Sequence, residues 1–532
     1  MPDSSMHVTL PRDTNQARCI GRFAIDFLAG RLGPGPAQAV LDRTELFHTD
    51  AVICGLSALA LKTNAPTVLR AEALEYPVTG PEHGACVFGS PYRVQPEKAV
   101  LANGAAVREW DSNGTNFGYN PALKHTAGEF GHNDYYGVAV AACQQRGLDG
   151  KTVLRAMVLI DEIRGRLAEV FSLKTYKIDH VMHGAIASAA VYGALMGATA
   201  EQIEHAIGMV VAHYVPWRAI RAGKQLSDSK GASAAISSEV AVLSAKRAMR
   251  GFIGPKDIFR NPESMFRQFF KTGGESPFEL VLAHSGSDFA VMGMHFKLGL
   301  YEHQSAGALQ GLINLISTTP ALLGNGGETI KSIRIKAYEP AFGIIGDPAK
   351  RDPKTRQSAD HSMVYIVSTM LRKAIGLARD GRFQPGSGGA NSSHDGAWKQ
   401  LMLSPYDYDS KAIAHSLTRS LMAKIAFEHG GADYDAKYPD GIPTSIIITD
   451  VQGKAHDSGL VMYPAGHARN TTANLQDILR HKFALLGALA AGDGEAAGLT
   501  SRLGGMSAKS PAQVADLYNI AIRERSDFVD AG

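Results

Sequence analysis

The chain has 532 residues, 45% hydrophobic and 20% charged, and its 54 Lys and Arg against 51 Asp and Glu leave a net charge of +3. A chain of this length can bury a core of roughly two to four domains without staples. Its four cysteines, Cys19, Cys54, Cys86 and Cys143, form no C-x-x-C pair and point to a reducing compartment. No block of basic residues offers a field for phosphate backbones, so nucleic acid is excluded as an expected partner.

The N-terminus, MPDSSMHVTLPRDTNQARC, has no apolar signal core, and Asp3 and Asp13 do not suit a transit peptide. The expected location is the cytoplasm. Apolar residues then recur at three- and four-residue spacing, which predicts helices over 37–60, 148–171 and 199–211. In the second, Val153, Met157, Ile160, Ile163 and Leu167 fall on one stripe. Thr199 and Gln202 carry the spacing of a capping box at the start of the third. The run 184–200, GAIASAAVYGALMGATA, is too rich in Ala and Gly to cross a bilayer and suits close helix packing, so no membrane partner is expected. Another helix is expected from about Ala234 to Met249.

Beyond residue 328 the period changes. TIKSIRIKAY, 329–338, alternates as a strand does. Helical spacing returns over 361–375 and 411–427, and 379–398, RDGRFQPGSGGANSSHDGAW, reads as a Gly- and Ser-rich surface loop. SIIITDV, a turn at Gln452-Gly453-Lys454 and a return through Leu460-Val461-Met462 predict a hairpin within 444–463. Helical spacing resumes over 471–480, 484–491 and 511–523. The expected fold is mainly α: a large all-helical domain built from both chain ends, 1–292 and 468–532, plus a smaller inserted α+β lid domain, 293–467. Clefts between such parts commonly bind ligands.

The phosphate-cradling motifs G-x-x-x-x-G-K-[ST] and G-x-G-x-x-G, the zinc motif H-E-x-x-H and the nucleophile elbow G-x-S-x-G are all absent. What remains is a series of polar islands in apolar surroundings. Asp111 and Thr115 with His132 could supply a base and its orienter. Asp179-His180 opens the small-residue helix, Ser229-Lys230-Gly231 leads into an Ala-rich one, and Lys297 and His303 stand before a third. Helix N-termini with nearby cations suit carboxylates. Each island alone also fits a helix cap or a solvated charge.

In this order the islands resemble the MmgE/PrpD family. The supporting stretches are Asp111 with Thr115, Glu129-Phe130-Gly131-His132, 173–191 around Asp179-His180-Val181, Ser229-Lys230-Gly231, Phe296-Lys297 with His303-Gln304-Ser305, Asp360-His361-Ser362 with Tyr365, and Tyr463-Pro464-Ala465-Gly466-His467-Ala468-Arg469. Departures are His132-Asn133 where the family often has His-Pro, Gly114-Thr115-Asn116 in place of Asp-Thr-Trp, an insertion over 116–127, and a shortened stretch without Pro before His303. The resemblance implies a homodimer that needs no metal or organic cofactor and takes a small di- or tricarboxylate. It implies a lyase dehydrating a 2-methylcitrate-like hydroxy acid. Decarboxylation of cis-aconitate, epimerisation of iminodisuccinate and simple carboxylate binding stay open beside it. By motif, His132, Asp111, Lys230 and His303 are the candidate catalytic residues. His132 is taken as the base, with Asp111 orienting it. Thr115, His180, Lys297 and Tyr338 are the candidate substrate-binding residues, and no metal ligand is assigned.

Overall fold

Helices dominate because the apolar residues recur in long, capped, amphipathic or fully buried runs. The computed structural model describes residues 6–221, 225–384, 392–492 and 494–531. Asp149 accepts from the Thr152 amide and starts Gly150–Val170, whose predicted stripe is entirely buried. Thr199 and Gln202 close the expected capping box on Ala200–His213. The small-residue run forms Val181–Met196, buried along almost its whole length and stopped by Gly197 at φ +89°. Its glycines permit the packing: a Cβ on Gly184 would lie 1.9 Å from the Tyr135 ring. The helices Gly150–Val170, Ala200–His213 and Asp228–Met249 pack around it. Among the described residues no single helix is long and apolar enough to cross a bilayer; Gln38–Ala60 and Asn64–Leu74 pass together, but with a 91° bend between them.

Both chain ends join this helical mass. The strand His7–Leu10 pairs antiparallel with Leu280–Ala283, and the helix Leu475–Ala491 packs on Gln38–Ala60. A four-stranded sheet orders Ile425–His429, Ile330–Ala337, Thr444–Asp450 and Ala455–Asp457, with the first pair parallel and the others antiparallel. In Ile330–Ala337 the alternation is physical: Ile330, Ile333, Ile335 and Ala337 are buried while Lys331, Ser332 and Arg334 are exposed.

Five expectations change, the first being that the helical spacing over 511–523 yields only the short helix Pro511–Ala515. The helix expected over 411–427 breaks into Ser410–Ile413 and Ser416–Ala423, because Ile425–His429 is captured as a parallel strand beside Ile330–Ala337. The hairpin returns at Ala455–Asp457, since the Asp450 carboxylate accepts from the amides of Gln452 and Lys454, both at 2.9 Å, and closes the turn early. Val461 keeps only an isolated bridge to Thr444. The helix expected from Ala234 begins at Asp228, which puts Lys230 inside its first turn. Finally, 379–398 is not all loop: Met363–Arg379 is helical to its end and Asp395–Leu401 forms a further helix, while the Gly- and Ser-rich centre, 385–391, lies outside the described residues.

Candidate active site

Asp111 follows the helix Pro96–Arg108, is fully buried and adopts φ +50°. A non-glycine residue there costs on the order of 1 kcal/mol, so the position must be over-determined by its surroundings. It is: Arg108 and Lys297 both donate to Oδ1, and Lys297 Nζ also donates to the Asp111 carbonyl at 2.7 Å. His361 Nδ1 and Lys230 Nζ stand 3.3 and 3.9 Å from Oδ2. Burial alone would raise the Asp111 carboxyl, but Arg108, Lys297, His361 and Lys230 outweigh it and hold it well below the usual range. Asp111 is therefore ionised.

The two lysines are spent on this cluster. Lys230 Nζ donates to both oxygens of Asp360 at 2.8 Å, and His361 Nδ1 lies 2.7 Å from Asp360 Oδ1. Burial pulls Lys297 down to about 8 and Lys230 below its ordinary value, each held back by its carboxylate partner. A third buried lysine braces the loops beneath. Lys482, from Leu475–Ala491, donates to the carbonyls of Ser112 and Lys297 at 2.7 and 2.9 Å and pairs with Asp50 at 2.7 Å. Gly466, at φ +91°, lets the 463–468 loop pass over Phe296: a Cβ there would lie 2.3 Å from the Phe296 carbonyl oxygen.

His132 reaches the cluster from a two-residue strand, Gly131–His132, paired with Thr115–Asn116. Its Nε2 stands 3.7 Å from Asp111 Oδ1, beyond a hydrogen bond, so Asp111 is not the group that orients the ring. His180 is: its Nε2 lies 3.3 Å from His132 Nδ1, its Nδ1 lies 3.3 Å from Asp179 Oδ1, and Asp179 is gripped by Arg221. Burial, reinforced by Arg108 and Lys297, holds His132 well below its usual range. Burial does the same to His180 against the opposing pull of Asp179. Both rings are neutral at pH 7, and one must donate to the other.

A cavity of about 50 Å³ opens onto these groups. Asp111, Thr115, His132 and His180 line it, together with Arg108, Arg218, Arg221, Glu302, Lys350 and His361, and with Phe130 and Ile344 as apolar wall. Thr115 spends its hydroxyl on the Gly131 carbonyl at 2.9 Å. Lys230 and Lys297 are absent from the lining. His303 and Tyr338 are absent from it as well. His303 is stacked on His295 with centroids 5.2 Å apart, and both of its ring nitrogens are unpartnered among the described residues. Tyr338 is stacked on Tyr438 at 4.7 Å. Sequence reasoning missed Arg108, Arg218, Arg221, Glu302, Ile344 and Lys350. Of the lining cations, Arg108 is paired with Asp111 and Arg221 with Asp179, while Arg218 and Lys350 have no carboxylate within 4 Å among the described residues.

Two trios, His132–Asp134–His180 and Asp111–Asp360–His361, lie close enough to share an ion. Arg108, Lys230 and Lys297 crowd this region, so the protein already supplies the positive charge there. A larger cavity of about 210 Å³ lies on the far side of Thr115, where the 116–127 insertion folds as a hairpin, Tyr119–Asn120 against His125–Thr126. Its lining carboxylates are paired, Asp440 with lining Arg469, and Asp288 and Glu169 with Arg166 from outside the lining, and His295 and His467 also face it.

Residues 30–276 match the MmgE/PrpD N-terminal domain. The chain is 25% identical to the 2-methylcitrate dehydratase of Escherichia coli K12 over 425 residues, covering 75% of this chain and 79% of that one. It is 24% identical to the 2-methylcitrate dehydratase of Cupriavidus necator over 456 residues, 82% of this chain and 83% of the relative. An alkylcitrate dehydratase from a fungal species is 26% identical over 222 residues, 42% of this chain and 43% of its own. The domain match over 30–276, together with similarity over most of the length, makes the chain similar to the MmgE/PrpD family.

Proposed function

We propose that the protein is a hydro-lyase that dehydrates a small tricarboxylic hydroxy acid of the 2-methylcitrate type. The observation that carries the reading is the pairing, in one buried cavity, of a neutral His132–His180 dyad with two uncommitted cations, Arg218 and Lys350. A proton on carbon beside a carboxylate is weakly acidic, so removing it needs a neutral base and fixed positive charge for the enolate-like anion. His132 takes the proton. His180 and Asp179 hold its ring, and ionised Asp111 at 3.7 Å favours the imidazolium that forms. Arg218 and Lys350 bind substrate carboxylates, and Arg108 and Arg221 add charge at the wall. Lys230 and Lys297 fix Asp360 and Asp111 in place. Segment 293–467 acts as the lid, bringing Glu302, Ile344, Lys350 and His361 against groups from 108–221. Elimination then forms the alkene as the hydroxyl departs with a proton. The relatives named 2-methylcitrate dehydratase and alkylcitrate dehydratase support this substrate class.

The test is a proton NMR time course in D2O with EDTA-treated enzyme and a panel of 2-methylcitrate, citrate, cis-aconitate and iminodisuccinate. An alkene from 2-methylcitrate without added metal is expected. Release of CO2 from cis-aconitate, or deuterium uptake with epimerisation of iminodisuccinate, in place of dehydration would overturn it. Arg218→Gln and Lys350→Gln should each raise KM about tenfold or more, the loss of one charged hydrogen bond.

A further inference from the structure

The elimination just described leaves one requirement unassigned: hydroxide is a poor leaving group, and a buried site must supply it with a proton. Two carboxyls line the cavity, and their surroundings divide them. Asp111 is ringed by Arg108, Lys297, Lys230 and His361 and is fixed as an anion. Glu302 has no cation within 4 Å among the described residues. Its backbone is pinned at the entry to the short turn His303–Ser305: its amide donates to the Asp360 carbonyl at 3.0 Å, and its Oε2 accepts from the Gln304 amide at 2.8 Å. Oε1 is left for a bound molecule.

We propose, resting on the dehydratase reading, that Glu302 is the acid of the reaction and gives its carboxyl proton to the departing hydroxyl. The groups that act on it electrostatically are Asp111, Lys297, Lys350, Tyr338 and Tyr438. Burial, helped by the charge on Asp111 and opposed by Lys297 and Lys350, pushes its carboxyl up to about 7. Near neutral pH much of it therefore carries the proton that the step consumes. His132 removes the proton beside the carboxylate and the C–H pair becomes the new π bond. The C–O pair leaves with oxygen, which takes the Glu302 proton and departs as water. Glu302 remains as carboxylate and His132 as imidazolium, and solvent returns the proton from one to the other.

The experiment compares the full-length wild type and E302Q in D2O on 2-methylcitrate and on the analogue with fluorine in place of the hydroxyl. Fluoride leaves without a proton, so E302Q should lose about 10²- to 10³-fold in dehydration yet release fluoride within a few-fold of wild type. Fluoride release also shows that the variant is folded, and E302D is carried beside it as the variant that retains a carboxyl. Wild-type kcat/KM should fall as pH rises through about 7, the acid being lost, and this limb should be missing for fluoride release. Dehydration by E302Q within about threefold of wild type overturns the assignment. So does an equal loss of water and fluoride release, since Glu302 would then serve proton removal or binding. A wild type that turns over neither compound overturns the functional reading beneath it.

Discussion

His132 shows how residue chemistry is set by the partner on the other side of the ring. Its Nδ1 faces His180 and its Nε2 faces Asp111, and only the first lies near hydrogen-bond range. His180→Gln should therefore lower kcat about 10²- to 10³-fold with little change in KM, read by steady-state kinetics; a kcat within threefold of wild type would dismiss the relay. Asp111, His132 and His180 were legible in the sequence because polar residues stood out in apolar stretches. Lys230 and Lys297 were legible as positions but not as roles, because their partners, Asp360 and Asp111, lie 130 and 186 residues away in the chain. Arg218 and Lys350 gave no signal at all. A cation in a short helical turn looks the same in sequence whether it faces solvent or a cavity.

At the scale of elements, periodicity served wherever one segment alone decided its state, and failed where a distant segment did. Gly150–Val170 and Ala200–His213 carry their own stripes and caps. Ile425–His429 is a strand only because Ile330–Ala337 offers it an edge, which no local pattern records. The helix Leu475–Ala491 was readable as a helix, yet nothing announced that its Lys482 would thread into the site floor. Lys482→Met should cost about 3–5 kcal/mol in denaturant unfolding, because Asp50 is left as an uncompensated buried charge. Asp50→Asn in the same background should recover part of it. The double variant being no more stable than Lys482→Met would mean the cost lies in the lost carbonyl contacts alone.

Across the whole molecule, buried neutral histidines link stability to pH. His48, His132, His180, His183, His303 and His361 are all held below their ordinary range by burial, His48 and His361 at about 3. The unfolded chain titrates them near 6.5. Below that pH the unfolded state binds more protons, so each such ring withdraws about 1.4 kcal/mol of stability per pH unit as pH falls, until its native value is reached. Glu302 runs the other way: its raised carboxyl keeps a proton that the unfolded chain gives up, and that contribution is lost as pH rises toward 7. Burial raises Asp50, Glu109, Glu129, Asp134, Asp161 and Glu162 in the same sense as Glu302, and lowers His295 and His467 along with the other rings. Thermal unfolding should shift downward between pH 6.5 and 5, and a flat Tm over that range would mean that the rings withdraw no more stability than the raised carboxyls return. The Lys482 brace also bears on synthesis. Asp111 and the residue that fastens its loop from below are separated by most of the chain, so at about 5–20 residues per second a ribosome leaves the half-built site waiting roughly 20–75 s for that fastening. During that interval the nascent chain holds its charged cluster open, which makes this stretch of translation the time at which a chaperone, or a protease, finds most to bind.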